Sequence, residues 1–198
     1  MKKGITKILS ACVFAFVVFL AAGTQSKAAV NMGVKQTGAG SSYVDLAWNA
    51  QLGAGHYHTQ FSQDGKNWID MEYSSSPSDS VYNLTQGASY YARVVAYNGS
   101  HYSGTHVMVG VSETAIVSTK PTEVTGLTQT AAGVNSVSMS WNASAGAASY
   151  VIYGYINYNW TQIGTSATNS ATITGVAATT STKFSVAAVK NVTGGTVT

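Results

Sequence analysis

Val44-Asp45-Leu46-Ala47-Trp48-Asn49-Ala50 and Val137-Ser138-Met139-Ser140-Trp141-Asn142-Ala143 are two versions of one strand. In each, apolar residues occupy every second position, Val44, Leu46 and Trp48 in the first and Val137, Met139 and Trp141 in the second. A period of two sends alternate side chains to opposite faces, so each stretch reads as a half-buried strand ending on an inward indole. The stretches stand 93 positions apart, and the same separation carries Gln36-Thr37 onto Gln129-Thr130 and Tyr57 onto Tyr150. Asn67-Trp68 then matches Asn159-Trp160 and Leu84 matches Val176, both at 92, so a single deletion separates the copies. A constant offset over this length means two copies of one fold rather than one large domain.

The rest of each copy is strand-like too. Tyr57, Thr59 and Phe61 form the next inward row of the first copy, as Tyr150 and Ile152 do in the second, and Tyr90, Ala92, Val94 and Ala96 alternate with Tyr91, Arg93, Val95 and Tyr97. Asp64-Gly65, Asn98-Gly99 and Gly194-Gly195 supply turns between the runs, and no stretch after the leader has the 3.6-residue period of an amphipathic helix. The reading is an all-β pair of sandwiches. Lys120-Pro121 marks the junction, because proline removes a backbone donor and suits the start of a module. The expected modules are 29–119 and 120–198, after a leader at 1–28.

That leader has the order of a secretory signal peptide: Lys2, Lys3 and Lys7, an apolar run from Ile8 to Ala22, then small residues at Ser26, Ala28 and Ala29. The run is shorter than the ~20 residues of a membrane span, so cleavage after Ala28 and no membrane contact afterwards are expected. Cys12 lies inside the apolar run rather than after it, which argues against lipidation, and its removal leaves a chain without thiols or disulfides. Lys27 goes with the leader as well, leaving six basic residues against seven acidic ones, a net charge of −1. No basic stripe is present to neutralise phosphates, so nucleic acid is excluded as a partner. Charged residues make up only 9% of the chain, and Ser, Thr, Asn, Gln and Gly take their place, as in uncharged extracellular β modules.

The inward tryptophans Trp48 and Trp141, the tyrosines Tyr57 and Tyr150 opening the next strand, and Leu84-Thr85-Gln86-Gly87-Ala88-Ser89-Tyr90 ahead of Ala92-Arg93-Val94 resemble fibronectin type III domains over essentially the whole chain after the leader. The resemblance implies an immunoglobulin-like sandwich, a secreted bacterial source, and a corner in which the Tyr90 hydroxyl bonds back to the backbone near Leu84. The second copy departs from it. Phe184 stands for the corner tyrosine, eight residues after Val176 rather than six, and only 192–198 follow Asn191, so the last strand is expected to be missing or vestigial. A clipped last module behind an intact leader reads as a fragment of a longer polypeptide with further domains.

Few residues suggest chemistry. His56, His58, His101 and His106 all fall in the first copy. His56 and His58 share the outward face if Tyr57 points inward, and His101 lies at the same end, so Zn²⁺ or Cu²⁺ ligation is conceivable, with solvent-exposed histidines the preferred reading. Tyr97 and Tyr102 beside Tyr57, and Tyr153, Tyr155, Tyr158 and Trp160 along one hairpin, are candidate binding rings for a sugar face or a protein partner. Glu72, Glu113, Asp64, Asp70 and Asp79 form no paired carboxylate arrangement, and no nucleophile elbow, phosphate loop or metalloprotease motif occurs. The Asn-x-Ser/Thr sites at Asn83, Asn98, Asn142, Asn159 and Asn191 follow from composition. The reading is therefore a non-catalytic extracellular or cell-surface binding and spacer module, without cofactor, touching an extracellular protein or polysaccharide. The alternatives are accessory modules of a carbohydrate-active enzyme, or an adhesin for a host protein.

Overall fold

A computed structural model describes residues 28–103, 106–176 and 182–198; the expected leader, up to residue 27, lies outside the described residues. The first sandwich contains β1 (Ala29–Val30), β2 (Lys35–Ala39), β3 (Val44–Ala47), β4 (His56–Ser62), β5 (Ile69–Ser74), β6 (Ser78–Val81), β7 (Ser89–Tyr97), β8 (Met108–Ser112) and β9 (Ala115–Ser118). One sheet is β2-β3-β6. The other runs β1-β8-β7-β4-β5, with β9 also paired to β7. The second sandwich contains β10 (Thr128–Ala132), β11 (Ser136–Ser140), β12 (Ser149–Ile156), β13 (Asn159–Ser166), β14 (Ser170–Thr174), β15 (Phe184–Val192) and β16 (Gly195–Val197). It repeats the order as β10-β11-β14 against β13-β12-β15-β16. Even the irregularities recur. A register shift at Gln36/Gly38 returns at Gln129/Ala131, and one at Thr59/Gln60 returns at Ile152/Tyr153.

Two hydrophobic cores result, one around Leu46, Trp48, Tyr57, Phe61 and Val94, the other around Met139, Trp141, Tyr150 and Ile152. Trp48 meets Tyr57 edge-on with centroids 5.4 Å apart at 67°, and Trp141 meets Tyr150 at 5.3 Å and 67°. Each tyrosine hydroxyl also accepts a backbone N–H six residues upstream, from Gln51 at 3.1 Å and from Ser144 at 3.0 Å. Both indole Nε1 atoms are buried without a hydrogen-bond partner among the described residues. Leaving such a donor unpaired costs about 1–3 kcal/mol. Burying an aromatic side chain of roughly 150–250 Å² at about 25 cal/mol per Å² contributes ~4–6 kcal/mol, so the packing outweighs the orphaned donor.

The expected corner is present in the first copy, where the Tyr90 hydroxyl accepts the Thr85 N–H at 2.9 Å. In the second copy the placement of Phe184 needs correcting. Phe61 pairs with Ala92 and the equivalent Gly154 pairs with Phe184, so Phe184 takes the place of Ala92 and packs half-buried on the core. By the same register Thr182 stands for Tyr90. The last strand, expected to be missing or vestigial, is vestigial, a three-residue β16. β16 pairs with β15 as Lys190↔Val197, Asn191↔Thr196 and Val192↔Gly195. Gly194, at φ 89°, closes the hairpin tightly enough to fit a strand into the few residues left, and Val197 is buried.

The sandwiches touch through backbone. Thr193 donates its N–H to the Ile116 carbonyl at 2.7 Å while its hydroxyl accepts the Ile116 N–H at 2.7 Å, and Lys190 Nζ donates to the Gly87 carbonyl at 2.7 Å. Gly87 and Gly146 approach so closely that a Cβ on Gly146 would stand 2.3 Å from the Gly87 carbonyl oxygen. Within the first sandwich, Glu113 clamps the entering chain by accepting the N–H groups of Met32 and Val34, each at 2.9 Å. Burial pushes its carboxyl up, but the backbone N–H groups of Met32, Glu113, Val34 and Gly33 together bring it below the ordinary value.

Trp48→Ala is expected to destabilise the first sandwich by about 3–5 kcal/mol in urea denaturation, while a transition carried by the Trp141 core persists. Glu113→Gln is expected to cost about 1–2 kcal/mol at neutral pH. Since the carboxyl is depressed in the folded state, its contribution is full above the unfolded value of about 4.3 and vanishes as pH falls through the folded one. Denaturation of wild type and Glu113→Gln should therefore converge in acid.

Candidate functional site

Two places gather the residues singled out above, and both lie on the outer face of the second strand's neighbour in each copy. In β4 the buried Tyr57, Thr59 and Phe61 point inward, which turns His56 and His58 outward. The segment after β7 then folds back over this face. Asn98 closes it, its N–H donating to the Val107 carbonyl at 3.0 Å and its Oδ1 accepting the Val107 N–H at 2.7 Å. A single 3₁₀ turn, His101–Ser103, delivers His101. The histidines are thus not the solvent-exposed set expected, because the returning segment covers them, and His56 is only 2% exposed.

Within the cluster, His56 Nδ1 donates to the Gly99 carbonyl at 3.0 Å, and its Nε2 is buried with no hydrogen-bond partner among the described residues. His58 Nε2 lies 3.2 Å from His101 Nδ1, and His58 Nδ1 lies 3.9 Å from an Asp70 carboxylate oxygen. The His106 ring sits edge-on to His56 at 5.1 Å, with its Nδ1 also buried and unpartnered. Burial, then the imidazoles of His58, His56 and His106, push His101 below its usual value. Tyr97 stacks on His56 at 5.3 Å and 13°, so it is a wall of this cluster rather than a free binding ring, and Tyr57 lies on the opposite face inside the core. Tyr102 is 79% exposed, its hydroxyl bonded to that of Tyr73. Tyr73 stacks on His101 at 4.2 Å and 7°. Sequence reading passed over Tyr73, although pairing the strands around Asp64-Gly65 sets it opposite His58.

The second place is the β12–β13 hairpin. Tyr155 pairs across it with Trp160, rings 5.3 Å apart, and the two are 38% and 50% exposed. Tyr153 shares their face, half-buried, and Lys183 Nζ stands 5.9 Å from the Tyr155 ring. At the tip, Asn157 (φ 49°) and Tyr158 (φ 66°) are both left-handed, as a two-residue hairpin turn requires, and Tyr158 is 89% exposed. In the first copy, the tryptophan equivalent to Trp160 is Trp68, whose ring is covered by the Arg93 guanidinium at 4.1 Å. Gln60 pairs with Arg93 and the equivalent Tyr153 with Ser185, so serine replaces that arginine and the Trp160 ring lacks this lid.

No family model matches the chain. It is 33% identical over 162 residues to Chitinase A1 of Niallia circulans, a match that takes in 78% of this chain and spans 22% of that protein's length. Among solved structures it is similar to a two-domain fibronectin type III segment of chicken tenascin, at 16% identity and TM-score 0.40 over 83% of this chain and 93% of that one. It is also similar to the FN1–FN3 domains of chicken CNTN1, at 15% identity and TM-score 0.46 over 86% and 64%. The chain's own geometry carries the assignment: three strands against a four-strand core sheet in the same order twice, and a tyrosine corner in the first copy, give two tandem sandwiches of the fibronectin type III fold.

Proposed function

We propose that the chain is a non-catalytic, extracellular binding and spacer unit, two modules at 29–119 and 120–198 behind a removable leader, and that the second module holds a polysaccharide on its β12–β13 hairpin. The observation that carries this is the uncovered Trp160 ring beside Tyr155, where the first copy seals the equivalent indole under Arg93. Flat exposed rings present large area at low entropy cost, which suits the apolar face of a sugar. Beside them Gln162, paired with Tyr153 on the same face, and Asn157 in the turn are exposed amides able to bond sugar hydroxyls, and Lys183 is the nearby charge. A neutral polymer fits such a surface better than a charged one.

Backbone strain supports the same place. A tyrosine in the left-handed region costs roughly 1–2 kcal/mol where glycine would cost little, and strain of this kind collects at functional sites. The carboxylates, by contrast, serve the fold. Glu113 clamps backbone, Asp79 accepts from Thr59, Asp45 accepts from Ser80, and Asp64 caps its own turn. The likeness to part of a chitinase favours service as accessory modules within a longer polypeptide, and makes chitin the first polymer to test.

Sedimentation with insoluble chitin should retain the chain, and Trp160→Ala should lower retention at least tenfold, as loss of one stacking platform would. Equal sedimentation of wild type and Trp160→Ala would sink the assignment. Tyr158→Gly should raise the stability of the second module by about 1 kcal/mol in thermal unfolding while weakening retention. A gain in stability with retention unchanged would free the turn of any binding role.

A further inference from the structure

We propose that the histidine cluster of the first sandwich is a binding site for a borderline divalent cation, Zn²⁺ or Cu²⁺, held by His56 Nε2, His58 Nε2 and His101 Nδ1. One ring nitrogen from each of these three side chains lies within 4.8 Å of the other two. In a tetrahedral zinc site with bonds of about 2.0–2.1 Å, neighbouring donors stand roughly 3.3 Å apart. His58 and His101 are already 3.2 Å apart, so small side-chain adjustments complete the geometry.

The tautomers favour ligation. His56 must carry its proton on Nδ1, since that atom faces the Gly99 carbonyl, so Nε2 presents a lone pair in a buried place where no donor meets it. An unpaired buried acceptor is costly, and a cation would satisfy it. The Nδ1 contact to a carbonyl is the outer-shell support that metal-bound histidines use to fix ring orientation. Asp70, its carboxylate 3.9 Å from His58 Nδ1, is the acidic group beside that ring on the other side. His101 is fixed by its stack on Tyr73. His106, with a second orphaned nitrogen, is near enough to offer the fourth donor after a side-chain turn, leaving water as the alternative in that position. All-imidazole ligation selects Zn²⁺ or Cu²⁺ over Mg²⁺ or Ca²⁺, which demand oxygen.

The test is calorimetric titration of the full, tag-free chain, stripped with EDTA, against Zn²⁺, Cu²⁺ and Mg²⁺ separately. One Zn²⁺ or Cu²⁺ per chain and no heat with Mg²⁺ are expected. His101→Ala, on the 3₁₀ turn outside the core, should lower affinity at least ~100-fold, and Asp70→Asn about tenfold through loss of outer-shell support. Circular dichroism and unfolding of His101→Ala confirm that it folds, so the test does not depend on His56→Ala, whose burial threatens folding. Absence of heat with both transition metals, or wild-type affinity in the folded His101→Ala chain, would overturn the site.

Discussion

An indole set edge-on against a tyrosine ring organises each sandwich, and the placement of every outward side chain on the neighbouring strand depends on it. Trp48 comes just after β3 in one sheet and Tyr57 from β4 in the other, so the pair ties the layers together while the phenol oxygen anchors the connection between them. Once Tyr57 is inward, the pleat sends His56 and His58 outward. Once Tyr150 is inward, it sends Tyr153 and Tyr155 outward. Both surfaces with chemical character thus sit on the outer face of the same strand, β4 in one copy and β12 in the other.

From that common frame the copies have diverged in how they treat the face. The first covers it with the residues around Asn98, His101 and Val107, which shelter imidazoles, and with Arg93, which covers Trp68. The second replaces the arginine by Ser185 and leaves Trp160 uncovered. Closing a polar face forces the question of where buried nitrogens find partners, and the orphaned His56 and His106 atoms are what remains of it. Opening an apolar face forces the opposite question, what covers an exposed ring. One scaffold therefore carries a covered imidazole cluster in one module and an exposed aromatic pair in the other.

The pair of β-sandwiches was legible because period-two alternation, the Trp and Tyr positions and the repeat offset all point the same way. Tyr90 at the corner followed from the resemblance to fibronectin type III domains. What escaped the sequence was set by register and by loop return. Phe184 and Thr182 can be told apart only when Gly154 is known to face Phe184. The burial of the histidines depends on Asn98 pinning its loop to Val107, a contact between residues whose types suggest an ordinary turn. The three-residue β16 was hidden because residue counting assumes a connection of usual length, and the Gly194 turn is shorter.

The junction between the sandwiches follows a different physics from their interiors. Its hydrogen bonds include backbone groups of Gly87, Ile116 and Thr193 together with the Thr193 hydroxyl and the Lys190 amine, with glycine facing glycine. Each such bond adds about 0.5–1.5 kcal/mol net, well below what one buried core tryptophan contributes. The cores therefore set whether each sandwich folds, and the junction sets only how the two are held. Substitutions on the aromatic face of one module therefore leave the imidazole cluster of the other intact.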